Sequence, residues 1–114
     1  MTFEQCKTII YEETMLPTGF LWGTRENRVD RQQFQRLLGA INELASLASP
    51  AETVDKLIVA CLFEVPWELE NTEPHYSSVD KLQGKEISQM ADELRMAIHT
   101  WLWAGLEEHY ENIV

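Results

Sequence analysis

The sequence predicts an all-α protein, built as a compact bundle of about five to seven helices. Apolar residues recur every three or four positions through most of the chain, which is the spacing that lines one face of an α-helix. No segment alternates apolar and polar residues as a half-buried strand would. A chain of 114 residues is normally one domain, so we expect residues 1–114 to share one core.

The longest helical pattern lies in residues 84–114, and we expect it to form a long C-terminal helix packed centrally in the bundle. A helix over residues 85–111 would be about 40 Å long at ~1.5 Å per residue, whereas a compact chain of this size is roughly 35 Å across. We therefore expect a break near Gly105 and a short helix after it. The apolar stripe comprises Ile87, Met90, Ala91, Leu94, Ala97, Ile98, Trp101 and Leu102.

Two helices are predicted in the first half of the chain from their capping residues. Thr2 and Gln5 have the spacing of a capping box, which places the first helix at residues 3–13. Asp30 and Gln33 have the same spacing and start a second helix, which runs to about residue 47. The segment between these helices contains glycines and a proline, and it is expected to be a loop over the core.

A third helix is predicted to begin at Ser49-Pro50, because serine is a good cap and proline suits the first turn. It should end near residue 64, since Pro66 disfavours the α conformation of the residue before it. Pro66 itself can open a short helical turn as far as residue 70. Residues 71–80 are rich in turn-forming residues and are expected to be a loop.

The cysteine content and the N-terminus predict a cytoplasmic protein. Cys6 and Cys61 both fall at apolar positions of predicted helices, as buried free thiols of a reducing compartment do, although a disulfide between them is an alternative. The N-terminal residues include acids and lack the apolar core of a secretory signal. No apolar run approaches the ~20 residues that a membrane span needs.

The formal net charge of −10 is the strongest compositional signal. It argues against nucleic acid as a direct ligand and against anionic lipid surfaces, because both attract basic residues. It is compatible with a basic protein partner, with divalent cations, or with solubility alone. Four of the nine basic residues are arginines between positions 25 and 36, and we expect them to balance acids elsewhere in the fold.

Two stretches of the sequence carry acids but no lysine or arginine. The first is residues 57–80, and the second is the C-terminal segment after Arg95. Such stretches are typical of a surface for a basic partner, or simply of solvated helix faces. The candidate electrostatic contacts in them are Glu68, Glu70, Glu73, Glu107, Glu108 and Glu111.

Tryptophans within these stretches are candidate apolar anchors for the partner. Trp67 has glutamates around it, as an interface hot spot for a basic partner would, and as the start of an amphipathic helix also would. Trp103 follows the core position Trp101 by two residues, about 200° around the helix. It therefore either packs in a helix that is buried on two sides or belongs to a docking surface.

No motif predicts catalysis, a metal or a cofactor, so we expect a protein that is not an enzyme. The three histidines lack the close spacing of zinc-ligand pairs, and no segment matches a calcium-binding EF-hand loop. Neighbouring glutamates in a helix point ~100° apart and do not converge on a substrate.

Around Trp67 the sequence reads Phe63-Glu64-Val65-Pro66-Trp67-Glu68-Leu69-Glu70-Asn71. In size, helicity and acidic charge the whole chain resembles the small acidic immunity proteins of bacterial toxin systems, including contact-dependent growth inhibition. The resemblance implies a cytosolic inhibitor that binds a basic toxin domain, such as a nuclease, and blocks its active site. The alternatives are an acidic regulatory or structural interaction module, for which calcium response and self-association are two options, and a DNA mimic that inhibits a nucleic-acid enzyme.

Overall fold

Helices are the only regular elements in the computed structural model, which describes residues 1–47 and 53–106. The long ones are α1 (Phe3–Met15), α3 (Arg31–Leu47), α5 (Val65–Val79) and α6 (Lys81–Trp103), and the short ones are α2 (Phe20–Arg25) and α4 (Lys56–Leu62). The predicted all-α class is therefore confirmed. The predicted number of five to seven bundle helices is not matched, because four long helices build the bundle and the other two have only six and seven residues.

The helices pack in the order α5, α6, α3, α1, with α5 and α6 forming a hairpin around the single residue Asp80. The short helix α2 contacts α1 and α5, and α4 contacts α1 and the start of the hairpin. Buried residues of all six helices form one cluster, centred on large side chains such as Phe20, Leu37 and Leu94. Cys6 and Cys61 are both buried in it as free thiols.

The long C-terminal helix α6 lies between α5 and α3 and buries one face against them. Leu82, Met96 and Trp103 lie on its exposed side. A helix buried on two sides, one of the two interpretations of Trp103, is therefore not observed. The buried stripe comprises Gly84, Ile87, Met90, Ala91, Leu94, Ala97 and Trp101.

Both ends of α6 follow from local chemistry, but only one was predicted. The predicted start was Gly84 or a serine before it, and the helix begins between them at Lys81, because the side chain of Asp80 accepts a hydrogen bond from the Leu82 N–H at 2.9 Å. It ends at Trp103, and Gly105 takes a positive φ of 83°, which suits a glycine beyond a helix end. The predicted break near Gly105 is confirmed. The helix predicted after it falls outside the described residues.

The predicted capping box of α1 is confirmed, whereas at α3 only the Asp30 half forms, because the side chain of Gln33 donates to the Thr18 carbonyl oxygen instead. The side chains and main chains of Thr2 and Gln5 exchange hydrogen bonds of 3.2 and 2.8 Å, as a capping box does. Asp30 accepts hydrogen bonds from the main-chain N–H groups of Gln32 and Gln33, each at 3.0 Å. Within the described residues the third predicted helix corresponds to α4, which Asp55 caps through the Ile58 N–H. The predicted start at Ser49-Pro50 falls outside the described residues.

Two segments that were expected to be loops contain helix, and tertiary contacts explain both. α2 forms within residues 16–29, where the side chains of Phe20 and Leu21 are buried in the core. α5 continues through residues 71–79 with Pro74 inside it. Its end is held by Tyr76, whose hydroxyl donates a buried hydrogen bond of 2.7 Å to the Thr24 carbonyl oxygen of α2. Packing thus overrides the turn-forming composition.

Glu13 is buried and is paired with Arg36 of α3, whose Nη1 lies 3.5 Å from one carboxylate oxygen. Burial raises the pKa of the Glu13 carboxyl, and the charge of Arg36 and the Phe20 N–H oppose that rise. A folded-state pKa above the unfolded one means that the folded protein binds the proton more strongly. The contribution of Glu13 to the free energy of unfolding is therefore greatest below its unfolded-state pKa, and it is lost as the pH rises through its folded-state pKa.

We predict that Gly84→Ala destabilises the protein and that Gly39→Ala stabilises it. A Cβ at Gly84 would lie 1.9 Å from Ser77 Oγ and 2.9 Å from Ser77 Cα, so α5 would have to move; overpacking of this kind costs about 1–3 kcal/mol. A Cβ at Gly39, in α3, would meet nothing within 4 Å, and the gain in helix propensity is about 0.5–1 kcal/mol. Urea unfolding followed by circular dichroism measures both; equal effects would contradict the close approach of α5 and α6.

We predict that Glu13→Gln becomes more stable relative to the wild type as the pH rises from about 4 to 7. The glutamine side chain can still accept the Phe20 N–H, but it carries no buried charge. Urea unfolding at several pH values measures the difference in unfolding free energy between the variant and the wild type. Titration of the other charged residues affects both proteins alike and cancels in this difference. Glu12→Gln is the matched control, because Glu12 pairs with the same arginine at 2.9 Å from a more exposed position. Parallel curves for Glu13→Gln and the wild type would contradict this account.

Candidate protein-binding site

An apolar groove lies where the chain turns from α4 into α5, against the C-terminal half of α6. Its volume is about 240 Å³. Phe63 and Glu64 form the turn, and Pro66 occupies the first turn of α5, where its missing N–H costs no helical hydrogen bond. We call this feature the aromatic groove. It is lined by Val59, Leu62, Phe63, Pro66, Trp67, Arg95, Ile98, Trp101 and Leu102.

The aromatic groove has a buried floor and exposed walls. Trp101 is only 7% exposed, as expected of a core position. Phe63 and Trp67, which are four residues apart, are 78% and 60% exposed. Single exposed apolar residues are ordinary, but large aromatics beside an apolar groove form a continuous patch, which is typical of an interaction site. Trp67, predicted as an anchor, therefore lies in this exposed aromatic patch.

The chemistry of the groove fits side chains of a larger partner better than a substrate or cofactor. Its volume is below the ~300–1,000 Å³ that is usual for small-molecule sites. Arg95 is the one charged residue in its lining, and the guanidinium is held by Glu70 at 2.5 Å and Asp92 at 3.1 Å. No set of converging acid, base or nucleophile lines it.

Some of the glutamates that were predicted to contact a partner are already paired with arginines of this chain. Glu68 pairs with Arg25 of α2, and Glu70 pairs with Arg95 of α6. Glu73 accepts a hydrogen bond of 2.5 Å from Ser77 Oγ. Two of the six glutamates are thus neutralised by arginines that lie 43 and 25 residues away in the sequence. Glu107, Glu108 and Glu111 fall outside the described residues.

The other predicted anchor, Trp103, is not among the residues that line the aromatic groove, although it is 39% exposed. Its ring lies 6.1 Å from that of His99, between centroids. Phe63 and Arg95 were missed as site residues. Phe63 follows the apolar stripe of the predicted third helix, and Arg95 falls on the polar side of the predicted last helix, so neither pattern indicated that the two would meet.

The described part of the chain contains neither a metal-ion cluster nor a membrane-spanning helix. Within residues 1–47 and 53–106, no three histidine, cysteine, aspartate or glutamate side chains are placed to hold a metal ion together. No helix in the same ranges combines the length and the hydropathy needed to cross a membrane. The aromatic groove is thus the strongest candidate site that these residues offer.

We predict that Phe63→Ala and Trp67→Ala each cost less than about 1 kcal/mol of unfolding free energy, because both side chains are largely exposed. Trp101→Ala, at the floor of the same groove, should cost about 3–5 kcal/mol because its ring is buried. Urea unfolding of the three variants measures the comparison. A loss for Trp67→Ala as large as that for Trp101→Ala would show that Trp67 belongs to the core and not to a binding surface.

Comparison with known proteins adds no relative from which a site could be transferred. The chain matches no protein-family model, no curated protein and no solved structure. Its functional interpretation therefore rests on the geometry and charge of its own residues.

Proposed function

We propose that this protein works by binding another protein, and that it is an immunity-type inhibitor that blocks a basic toxin domain, such as a nuclease, in the cytoplasm. The observation that supports the proposal is the exposed aromatic pair Phe63 and Trp67 beside an apolar groove, on a molecule with a formal net charge of −10. Exposed aromatic anchors supply affinity, and complementary charge supplies fast association.

The apolar part of the proposed interface is the aromatic groove. Binding hot spots are enriched in tryptophan and gather where a side chain fills a desolvated pocket. Trp67 and Phe63 both line the aromatic groove. We assign the anchor role to this pair, and Trp103 becomes a secondary candidate.

The charged part of the proposed interface depends more on the whole molecule than on a row of free glutamates. Arg25 and Arg95 compensate Glu68 and Glu70, so these two contribute little free charge. Glu64 and Glu73, for which the described residues supply no ion pair, are better placed to attract a basic surface. Long-range attraction from the net charge steers the partner toward the groove.

The alternatives have less support. A DNA mimic needs successive uncompensated carboxylates in place of phosphates, whereas the carboxylates of Glu68 and Glu70 are each paired with an arginine. A calcium-responsive module needs several oxygen ligands around one point, and the described residues provide no such cluster. Binding through an apolar groove does not depend on either arrangement.

The experiment is to co-express this chain with the protein encoded immediately upstream of its gene and to count surviving cells. We expect the upstream protein to arrest growth and this chain to restore it. The double variant Phe63→Ala/Trp67→Ala should fold but restore growth at least about tenfold less well, since hot-spot truncation costs more than ~1.4 kcal/mol. Leu82→Ala is the matched control, because Leu82 is also a highly exposed apolar residue but lies outside the groove.

Two results would contradict the proposed function. One is an upstream protein that does not arrest growth, or whose toxicity this chain leaves unchanged. The other is full protection by the Phe63→Ala/Trp67→Ala variant, which would place the inhibitory surface away from the aromatic groove.

A further inference from the structure

The size of the aromatic groove limits what part of a partner can enter it. An apolar cavity of about 150 Å³ is large enough for one benzene molecule. The groove, at about 240 Å³, therefore has room for one or two large apolar side chains. The groove has no room for the partner's main chain as well, so the partner's backbone must lie across the opening of the groove.

The lining of the groove determines which backbone can lie there. An extended segment would bring its N–H and C=O groups against a lining in which only Trp67, Trp101 and Arg95 carry side-chain donors and no side chain is an acceptor, so its main-chain N–H groups would find no partner there. The described residues contain no strand to which it could add by main-chain pairing. A helix satisfies its own main-chain hydrogen bonds, and it presents side chains three or four positions apart on one face.

The rim of the groove carries more negative than positive charge. Arg95 is bound by both Glu70 and Asp92, so two carboxylates face one guanidinium. Glu64, exposed in the turn that bears Phe63, adds a third carboxylate. A partner segment with lysine or arginine beside its apolar face would match this rim, whereas an acidic segment would be repelled.

We propose that the occupant of the aromatic groove is one amphipathic helix of the partner, with two large apolar side chains three or four positions apart and basic residues beside them. The inference rests on the proposed function, since it specifies how the inhibited protein is held. Phe63 and Trp67 contact the apolar side chains, and the basic side chains pair with Glu64 and are attracted by the excess negative charge of the rim.

The test uses a synthetic peptide of about 16 residues, long enough to be partly helical. It has leucines at two positions four apart, lysines beside them, and a fluorescent label for anisotropy measurements with the full-length protein. A first control has the same composition but leucines two positions apart, on opposite faces of a helix. A second control keeps the leucine spacing and replaces the lysines by glutamates.

We expect the first peptide to bind at least about tenfold more tightly than either control, and Trp67→Ala to reduce that affinity at least about tenfold. Leu82→Ala should leave the affinity unchanged. Equal binding of the two lysine peptides would show attraction by charge alone and overturn the proposal. Equal binding of the glutamate peptide, or an unchanged affinity of Trp67→Ala, would also overturn it.

Other occupants of the groove would give results of their own, each of which overturns the proposal. Self-association of the wild-type chain in sedimentation, abolished by Trp67→Ala, would identify a second copy. Peptide binding that appears only in the full-length Ile113→Asp variant would identify the chain's own last residues.

Failure of this inference can be told apart from failure of the proposed function. Growth protection that depends on Trp67, without peptide binding, would leave the immunity role intact and exclude a helical occupant. Peptide binding that depends on Trp67, without growth protection, would support the helical occupant and exclude the immunity role.

Discussion

The close approach of α5 and α6 at Ser77 and Gly84 is the constraint on which the rest of the structure depends. Only a residue without a side chain allows the two helices to meet at this distance, next to the single residue that joins them. The hairpin then fixes the register of the two helices. In that register Glu70 lies opposite Arg95, and Trp67 lies opposite the last turns of α6. The aromatic groove is therefore formed at the open end of the hairpin.

The charge of the molecule is arranged so that most arginines act within the fold. Ion pairs join α1 to the cap of α4, α2 to α5, α3 to both α6 and α1, and α6 to α5. The basic members of these pairs are Lys7, Arg25, Arg31, Arg36 and Arg95. As single exposed pairs they add little stability, but they place the cations next to acids of other helices. The net charge of −10 thus produces a negative potential at long range, while the charges of individual glutamates such as Glu68 are compensated locally by arginines.

The sequence predicted those parts of the fold whose causes are local. The caps at Thr2 and Asp30 lie within three residues of the groups that they bind, and the break at Gly105 follows from helix length. α2 and the second half of α5 depend instead on contacts between distant residues, such as the hydrogen bond from Tyr76 to Thr24. A reading of turn-forming residues cannot detect such contacts, so both segments were assigned to loops.

The same distinction applies to the candidate site. Trp67 was recognisable because a large aromatic stood among acids within a few residues. Its partners in the groove were not, because Phe63 and Leu102 come from segments that only the hairpin brings together. The compensation of Glu70 by Arg95 likewise depends on helix register. Composition therefore predicted a binding protein, whereas the position and character of the proposed binding surface required the three-dimensional structure.

Pro74 has a consequence for the mechanics of the groove. Proline has no N–H, so the carbonyl oxygen of Glu70 lacks its usual partner one turn later in α5. Pro74 thus marks the boundary between an N-terminal and a C-terminal half of α5, which remains one continuous helix. The first bears Trp67, and the second is anchored by Tyr76 and Ser77. The wall of the groove and the tightly packed end of the hairpin are consequently joined by one main-chain hydrogen bond fewer than in an uninterrupted α-helix.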